Sequence, residues 1–180
     1  MRPGSELARP DYLKVPFWRR GVAFGIDFVV AVLASSLLSG SIAAQAVVFA
    51  IAWLVLRCIV AAQNHGQSLG RWALDMRVVD TKFYRGTPGL KELAKREAIA
   101  GLGALCALIG LANFSLTAAW SLLLFLPILA DCGFAYLDRN QQRAVHDQVA
   151  NTRIVEAQRG YSLDLKTKQL IAYMRKRMRR

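Results

Sequence analysis

Histidine and cysteine are scarce in this sequence, and acids are half as numerous as bases. Its two histidines, His65 and His146, stand near the edges of apolar tracts with no cysteine or second histidine at metal-ligand spacing, which argues against a zinc centre. The three cysteines, Cys58, Cys106 and Cys132, lie at scattered positions inside apolar tracts, the pattern of packing thiols and not of a disulfide framework. Twelve Asp and Glu against 24 Lys and Arg give a formal net charge of +12 on a chain that is 54% hydrophobic. A soluble nucleic-acid binder carries such charge without so much apolar sequence, so nucleic acid is not an expected partner. "GQSLGR", residues 66 to 71, lacks the Lys-Ser/Thr ending and the spacing of a P-loop. No nucleophile stands with a base, and neither an enzyme nor a cofactor is expected.

What the chain does have is apolar sequence segregated from charge. Residues 21–62 form one tract, broken at Ser39, Gly40 and Ser41 and charged only at Asp27 and Arg57; residues 98–137 form another, broken near Asn113, Phe114 and Ser115 and charged only at Asp131. Each tract has about 40 residues, and a helical span takes about 20, so each fits a hairpin that crosses and returns. The expected fold is an all-α integral membrane protein of four transmembrane helices, about 21–39, 42–62, 98–114 and 116–137. A basic segment over 1–20 precedes this membrane domain of 21–155, and a tail over 156–180 follows it. Five Lys and Arg precede the first helix, seven fall in the loop 63–97 and eleven follow residue 137, while the two short turns hold none. The positive-inside rule then puts both termini and the loop in the cytoplasm, and the expected location is a bacterial inner membrane. A secretory signal in the first tract is disfavoured by the central aspartate and by a small-residue site, Ala44-Gln45-Ala46, that lies beyond the break.

Outside the helices, Met76-Arg77-Val78-Val79 and Thr152-Arg153-Ile154-Val155 are short β-prone runs that share a membrane face and can pair as a ribbon. The last twenty residues set Leu163, Leu170, Ile171, Met174 and Met178 mostly on one helical stripe amid Lys and Arg, the pattern of a basic amphipathic helix on an anionic leaflet or, equally, of a solvated basic tail.

Helical rise places the buried charges in depth. Arg57 is 17 residues after Gly40 and Asp131 is 17 after Phe114, so both sit roughly 25 Å from the outer turns. Asp27 sits at roughly 20 Å and Arg20 near the inner headgroups. Charge inside a bilayer pairs, faces the bundle interior or lines a wet cavity. Arg57 has two candidate partners, Asp27 and Asp131, or it snorkels to the headgroups. Pro127 is expected to kink the fourth helix and free a carbonyl near Leu123. In the third helix Gly103 with Ala107, and Ala100 with Ala104, permit close packing.

Three stretches in order, "RRGVAFGID", "GQSLGRWALDMRVVD" and "RAVHDQVANTRIV", together resemble the RDD (Arg-Asp-Asp) family of small bacterial membrane proteins over residues 17–155. The first matches its helix-entrance arginine and intrahelical aspartate at Arg20 and Asp27. The second is similar to G-x-T-x-G-K-x-x-x-G-L-R-V-V-D, with Gly66 and Gly70 in place, Ser68 for threonine, Arg71 for lysine and Asp75 where glycine is common. The third looks like R-A-x-H-D-x-x-A-G-T-x-V-V, placing Arg143, His146 and Asp147, with Asn151 for glycine. The resemblance implies that Arg20, Asp27 and Asp147 act together, and an Arg20–Asp147 pair follows if the segment after the fourth helix folds back. The family's activity is generally unassigned, cation/proton exchange being the most concrete proposal. Two readings therefore stand: a secondary transporter in which Asp27 binds a cation or proton, or a membrane subunit that docks partners. Anionic lipid, further copies of the chain or other membrane proteins are the expected partners.

Overall fold

The computed structural model describes residues 15–38, 40–81, 86–115, 117–138, 142–159 and 162–178. Most of the basic segment over 1–20, Ser39 of the first break, and the side chains of Leu170, Ile171 and Met178 in the tail lie outside the described residues.

Helix α1 (Phe17–Leu38) fills the first half of the first apolar tract. Gly40 and Ser41 turn the chain, and the Ser41 hydroxyl accepts the Ala44 N–H at 3.2 Å, capping α2 (Ile42–Leu54). The same rod continues as a π-helical stretch, Val55–Ile59, and a last α turn, α3 (Val60–Gln63). Phe49, Trp53, Arg57 and Ala61 are buried along it at every fourth residue. An α-helix of 3.6 residues per turn would carry that spacing off the buried face, and the wider π turn holds it there.

The third helix departs from the expected 98–114. Helix α5 runs Leu90–Ala112, beginning eight residues earlier. Gly89 holds an extended conformation at its N-terminus, Glu92 lies in its first turn where a carboxylate suits the helix dipole, and Leu93 is fully buried. The end of charge at residue 98 marks where apolar sequence begins, not where the backbone starts to wind. The fourth helix is also different: a 3-10 segment, Ala119–Phe125, leads into α6 (Leu126–Leu137). Pro127 falls in the first turn of α6, where its missing N–H has no intrahelical partner to lose. The Leu123 carbonyl, expected to be freed by a kink, accepts the N–H of Leu126.

Three of these segments, Phe17–Leu37, Ile42–Gln63 and Ala119–Leu137, are long and apolar enough to cross a membrane. Ala100, Ala104 and Leu108 of α5 pack with Ala31, Phe49 and Trp53 of α1 and α2 into one apolar core. A neighbouring face of α5 meets the 3-10 segment and α6. A Cβ on Gly103 would stand 3.3 Å from Ile128, and one on Gly110 2.8 Å from the Ser121 carbonyl, so these glycines set how closely the rods approach.

A cap closes one end of the bundle. Strand β1 (Met76–Asp80) pairs antiparallel with β2 (Thr152–Glu156), Val78 opposite Ile154. Two five-residue helices feed the strands, α4 (Leu69–Ala73) before β1 and α7 (Val145–Val149) before β2. A second apolar core forms there from Val15, Ala23, Leu74, Met76, Val78, Leu93 and Ile154. Helix α8 (Leu163–Met178) follows the ribbon, tied to α1 by Arg19, whose guanidinium donates to Asp164 at 2.7 Å and to Glu156 at 2.9 Å.

Asp75 and Asn151, each just before a strand, have φ of 55° and 51°, the left-handed region. These are the two positions where the resemblance puts glycine, and Asp and Asn are the residues that tolerate that region best after glycine. Asn151→Gly should leave the melting temperature unchanged or raise it, while Asn151→Val should destabilise by roughly 1–3 kcal/mol; denaturation of the two variants in detergent reads the difference.

Candidate functional site

Between the two apolar cores lies a layer of buried charge. On α1, Asp27 is one turn from Ala23 of the cap core and one turn from Ala31 of the bundle core. On the second rod Arg57 is one turn past Trp53 of the bundle core. On α5, Glu97 lies between Leu93 of the cap core and Ala100 of the bundle core. Three helices thus bring charge to one level, flanked on both sides by hydrocarbon.

Asp27 is fully buried and accepts three hydrogen bonds, from Arg57 Nη1 at 2.7 Å, the Ser68 hydroxyl at 2.6 Å and the Gly70 N–H at 2.7 Å. Gly70 can reach it because α4 lies against α1; a Cβ there would fall 2.0 Å from the Ala23 carbonyl oxygen. Of the two candidate partners of Arg57, Asp27 and Asp131, the structure pairs it with Asp27. It does not snorkel: 3% exposed, it lies over the rings of Trp53 and Phe24 at 4.7 and 5.4 Å and sends Nε to Glu97 at 2.6 Å. Glu97 also accepts from Arg71 Nη2 and Arg96 Nη1, each at 2.6 Å. Arg96 carries the layer onward, its Nε donating to Asp147 at 2.8 Å and its Nη2 facing His146 Nε2 at 3.2 Å.

His146 ends the chain. Its backbone N–H donates to Asp131 Oδ1 at 3.0 Å, and its ring Nδ1 bonds Asp131 Oδ2. A guanidinium has only donors, so Nε2 accepts from Arg96 and Nδ1 carries the proton that Asp131 takes. Asp131 is therefore the partner of His146 and not of Arg57.

The expected Arg20–Asp147 pair is replaced as well. Arg20 donates to the carbonyls of Gln142 and Ile154, and it acts on Asp147 through space while Arg96 takes the hydrogen bond. Arg20 and Asp147 do share a wall: both line a cavity of about 90 Å³ together with Arg57, Arg71, Arg96 and His146. Gly66 stays outside the layer and shapes the approach to β1, its carbonyl accepting the Val78 N–H at 3.0 Å and its φ of 85° suiting glycine. Arg143 also stays outside, its N–H held by Asp138 at 3.2 Å.

The sequence model of the RDD family matches residues 14–151. The chain belongs to the RDD family. No curated protein and no solved structure matches it. Every member of the charge layer falls within the RDD match, including Arg96 and Glu97, which from sequence alone belong to the loop 63–97. Counting depth would have found Glu97: it lies 16 residues before Asn113, nearly the offset that set Arg57 and Asp131 level.

Two groups outside the three long apolar segments show how the layer is balanced. Burial pushes Arg71 down, helped by the cations Arg57 and Arg96, to about 9. Burial alone would raise the Asp147 carboxyl, but Arg96, through its charge and its hydrogen bond, and Arg20 through its charge hold it well below the usual carboxylate range. Among the described residues no cluster of His, Cys, Asp and Glu has the makings of a metal site.

Removing Glu97 leaves three guanidiniums facing one another, and breaking a buried pair costs roughly 3–5 kcal/mol. Glu97→Gln should lose about that much against denaturant, and Glu92→Gln at the start of the same helix under about 0.5 kcal/mol. Because the folded Asp147 carboxyl is depressed, its stabilisation is whole above the ordinary value of 3.8 and is lost as pH falls below it. Melting curves from pH 6 to pH 3 should therefore fall more steeply for the wild type than for Asp147→Asn.

Proposed function

We propose that this RDD-family protein is a four-span protein of the bacterial cytoplasmic membrane, with both termini and the cap in the cytoplasm, and that it works as a secondary transporter of the cation/proton exchange kind. The apolar part of α5 from Ala98 onward supplies the fourth span in this reading, and the segregation of Lys and Arg away from the two short turns supports the orientation. Four spans are few to enclose a path, so the working unit is an oligomer of the chain.

The observation that carries the transport reading is the position of His146, which bridges Asp131 and Arg96 on the wall of the cavity. Histidine is the side chain that ordinarily changes charge near neutral pH. A proton added to Nε2 would lose the Arg96 bond and face Asp147, whose Oδ1 is 3.7 Å away. Proton uptake thereby shifts Arg96, and through it Glu97 and Arg57, so occupancy at one end of the layer is felt at the other. Asp27 is a poorer carrier than its place in the helix suggests, since a permanent cation and two further donors already occupy it.

A docking subunit is the second reading. It is favoured by the extent of exposed apolar surface on the rods, with Leu33, Val47, Leu123 and Leu129 outward, and by a basic tail suited to anionic lipid.

Proton flux in proteoliposomes under an imposed sodium or potassium gradient separates the two. Wild type should move protons, and a folded His146→Gln variant should lose at least tenfold in rate. Flux no greater than in empty liposomes, from inserted wild-type protein, would leave the docking reading.

A further inference from the structure

We infer that helix α4 is seated in the headgroup layer of the membrane, with Leu69 and Trp72 in lipid, and that together with α8 it forms a surface that recognises an anionic phospholipid leaflet. The inference rests on the membrane placement proposed above and is independent of transport.

The depth of α4 follows from its contact with α1. The segment Phe17–Leu37 is long and apolar enough to span, and Ala23 lies six residues inside its start, about 9 Å along the axis. Gly70 of α4 packs so closely there that a Cβ would fall 2.0 Å from the Ala23 carbonyl oxygen. The cap therefore does not stand clear of the span; α4 lies alongside it. Gly70, Arg71 and Ala73 are buried, which leaves Leu69 and Trp72, 46% and 48% exposed, on the outer side. A helix with its apolar face about 5–10 Å into the boundary between headgroups and acyl chains is the usual arrangement at a bilayer surface, and tryptophan collects at that level.

Charge makes the surface selective. Arg159 holds its guanidinium 5.5 Å over the Trp72 ring and donates to the Trp72 carbonyl at 2.7 Å. Arg19 lies 6.0 Å over the exposed Trp18 at the start of the same span and binds Asp164 in the first turn of α8. These two tryptophan–arginine pairs bracket the root of α8 and hold it at the level where α1 enters the bilayer. Every described side chain of α8 beyond Asp164 is exposed. From Leu165 to Arg180 the sequence holds seven Lys and Arg and no acid. An exposed helix of that charge, rooted at the bilayer surface, meets its counter-charge in anionic headgroups, which favours the leaflet over a solvated tail.

The test places the full-length protein in lipid discs of phosphatidylcholine alone or mixed with phosphatidylglycerol, which present the same lipid on both sides and need no assumption about orientation. The emission lost in Trp72→Phe, which keeps a ring under Arg159, reports Trp72. That lost in Trp120→Phe reports Trp120, 66% exposed in the apolar segment Ala119–Leu137. Lipids brominated near the carbonyl end of the acyl chain should quench Trp72 roughly twofold more than lipids brominated near its methyl end. Amide exchange over residues 165–174 of the wild type should be roughly fivefold slower with phosphatidylglycerol than without. Trp120 quenched with Trp72 untouched would overturn the inference and leave the membrane placement standing, whereas neither quenched would overturn both. Equal exchange of the tail in the two kinds of disc would equally overturn the inference.

Discussion

The carboxylate of Glu97, held at 2.6 Å by Arg57, Arg71 and Arg96 at once, is the contact on which the rest of the structure depends. One acid here joins the second rod, the cap helix α4 and the start of α5. Three guanidiniums cannot share a water-poor site without it, and it cannot be buried without them. Charges taken out of water are tolerated only when their remaining donors and acceptors are met, and the residues around Glu97 meet them in sequence. Arg57 goes on to Asp27, and Arg96 goes on to Asp147 and His146. The result is a polar seam between two hydrocarbon cores, which fixes the cap on the bundle more specifically than apolar contact alone would.

Much of this was legible in the sequence. Apolar tracts and their breaks located the rods, and two short β-prone runs on one side located the ribbon, because each signal rests on local spacing. The depth count put Arg57 level with Asp131 and also within reach of Asp27, and so did not choose between them. What could not be read was the partner choice of Asp131 and Asp147. Both depend on where the segment after α6 returns, and a five-residue helix at Val145–Val149 leaves no periodic trace long enough to follow. Arg96 and Glu97 were missed for another reason. They look like the solvated end of a basic loop until the start of α5 at Leu90 turns them inward.

The irregular helical segments serve the same seam. A π stretch carries Arg57, and a 3-10 segment precedes the helix that carries Asp131. Wider and tighter windings re-aim side chains by fractions of a turn, and such departures in a helix are often found where function needs a particular geometry. Asp75 and Asn151 do comparable work in the cap, where each turns the chain into a strand through a left-handed residue.

The Asp27–Arg57 bond also bears on how the chain enters its membrane. Its two ends sit on consecutive rods, 30 residues apart, and both precede α5 in the chain. A lone charge at the centre of an inserting helix costs roughly 2.5–3.5 kcal/mol. A hairpin that neutralises itself meets the bilayer without waiting for the second half of the protein. Asp131 meets His146 15 residues further on, in the segment that folds back after α6. The seam thus joins the first two rods within one hairpin, and the segment that folds back after α6 completes its other end.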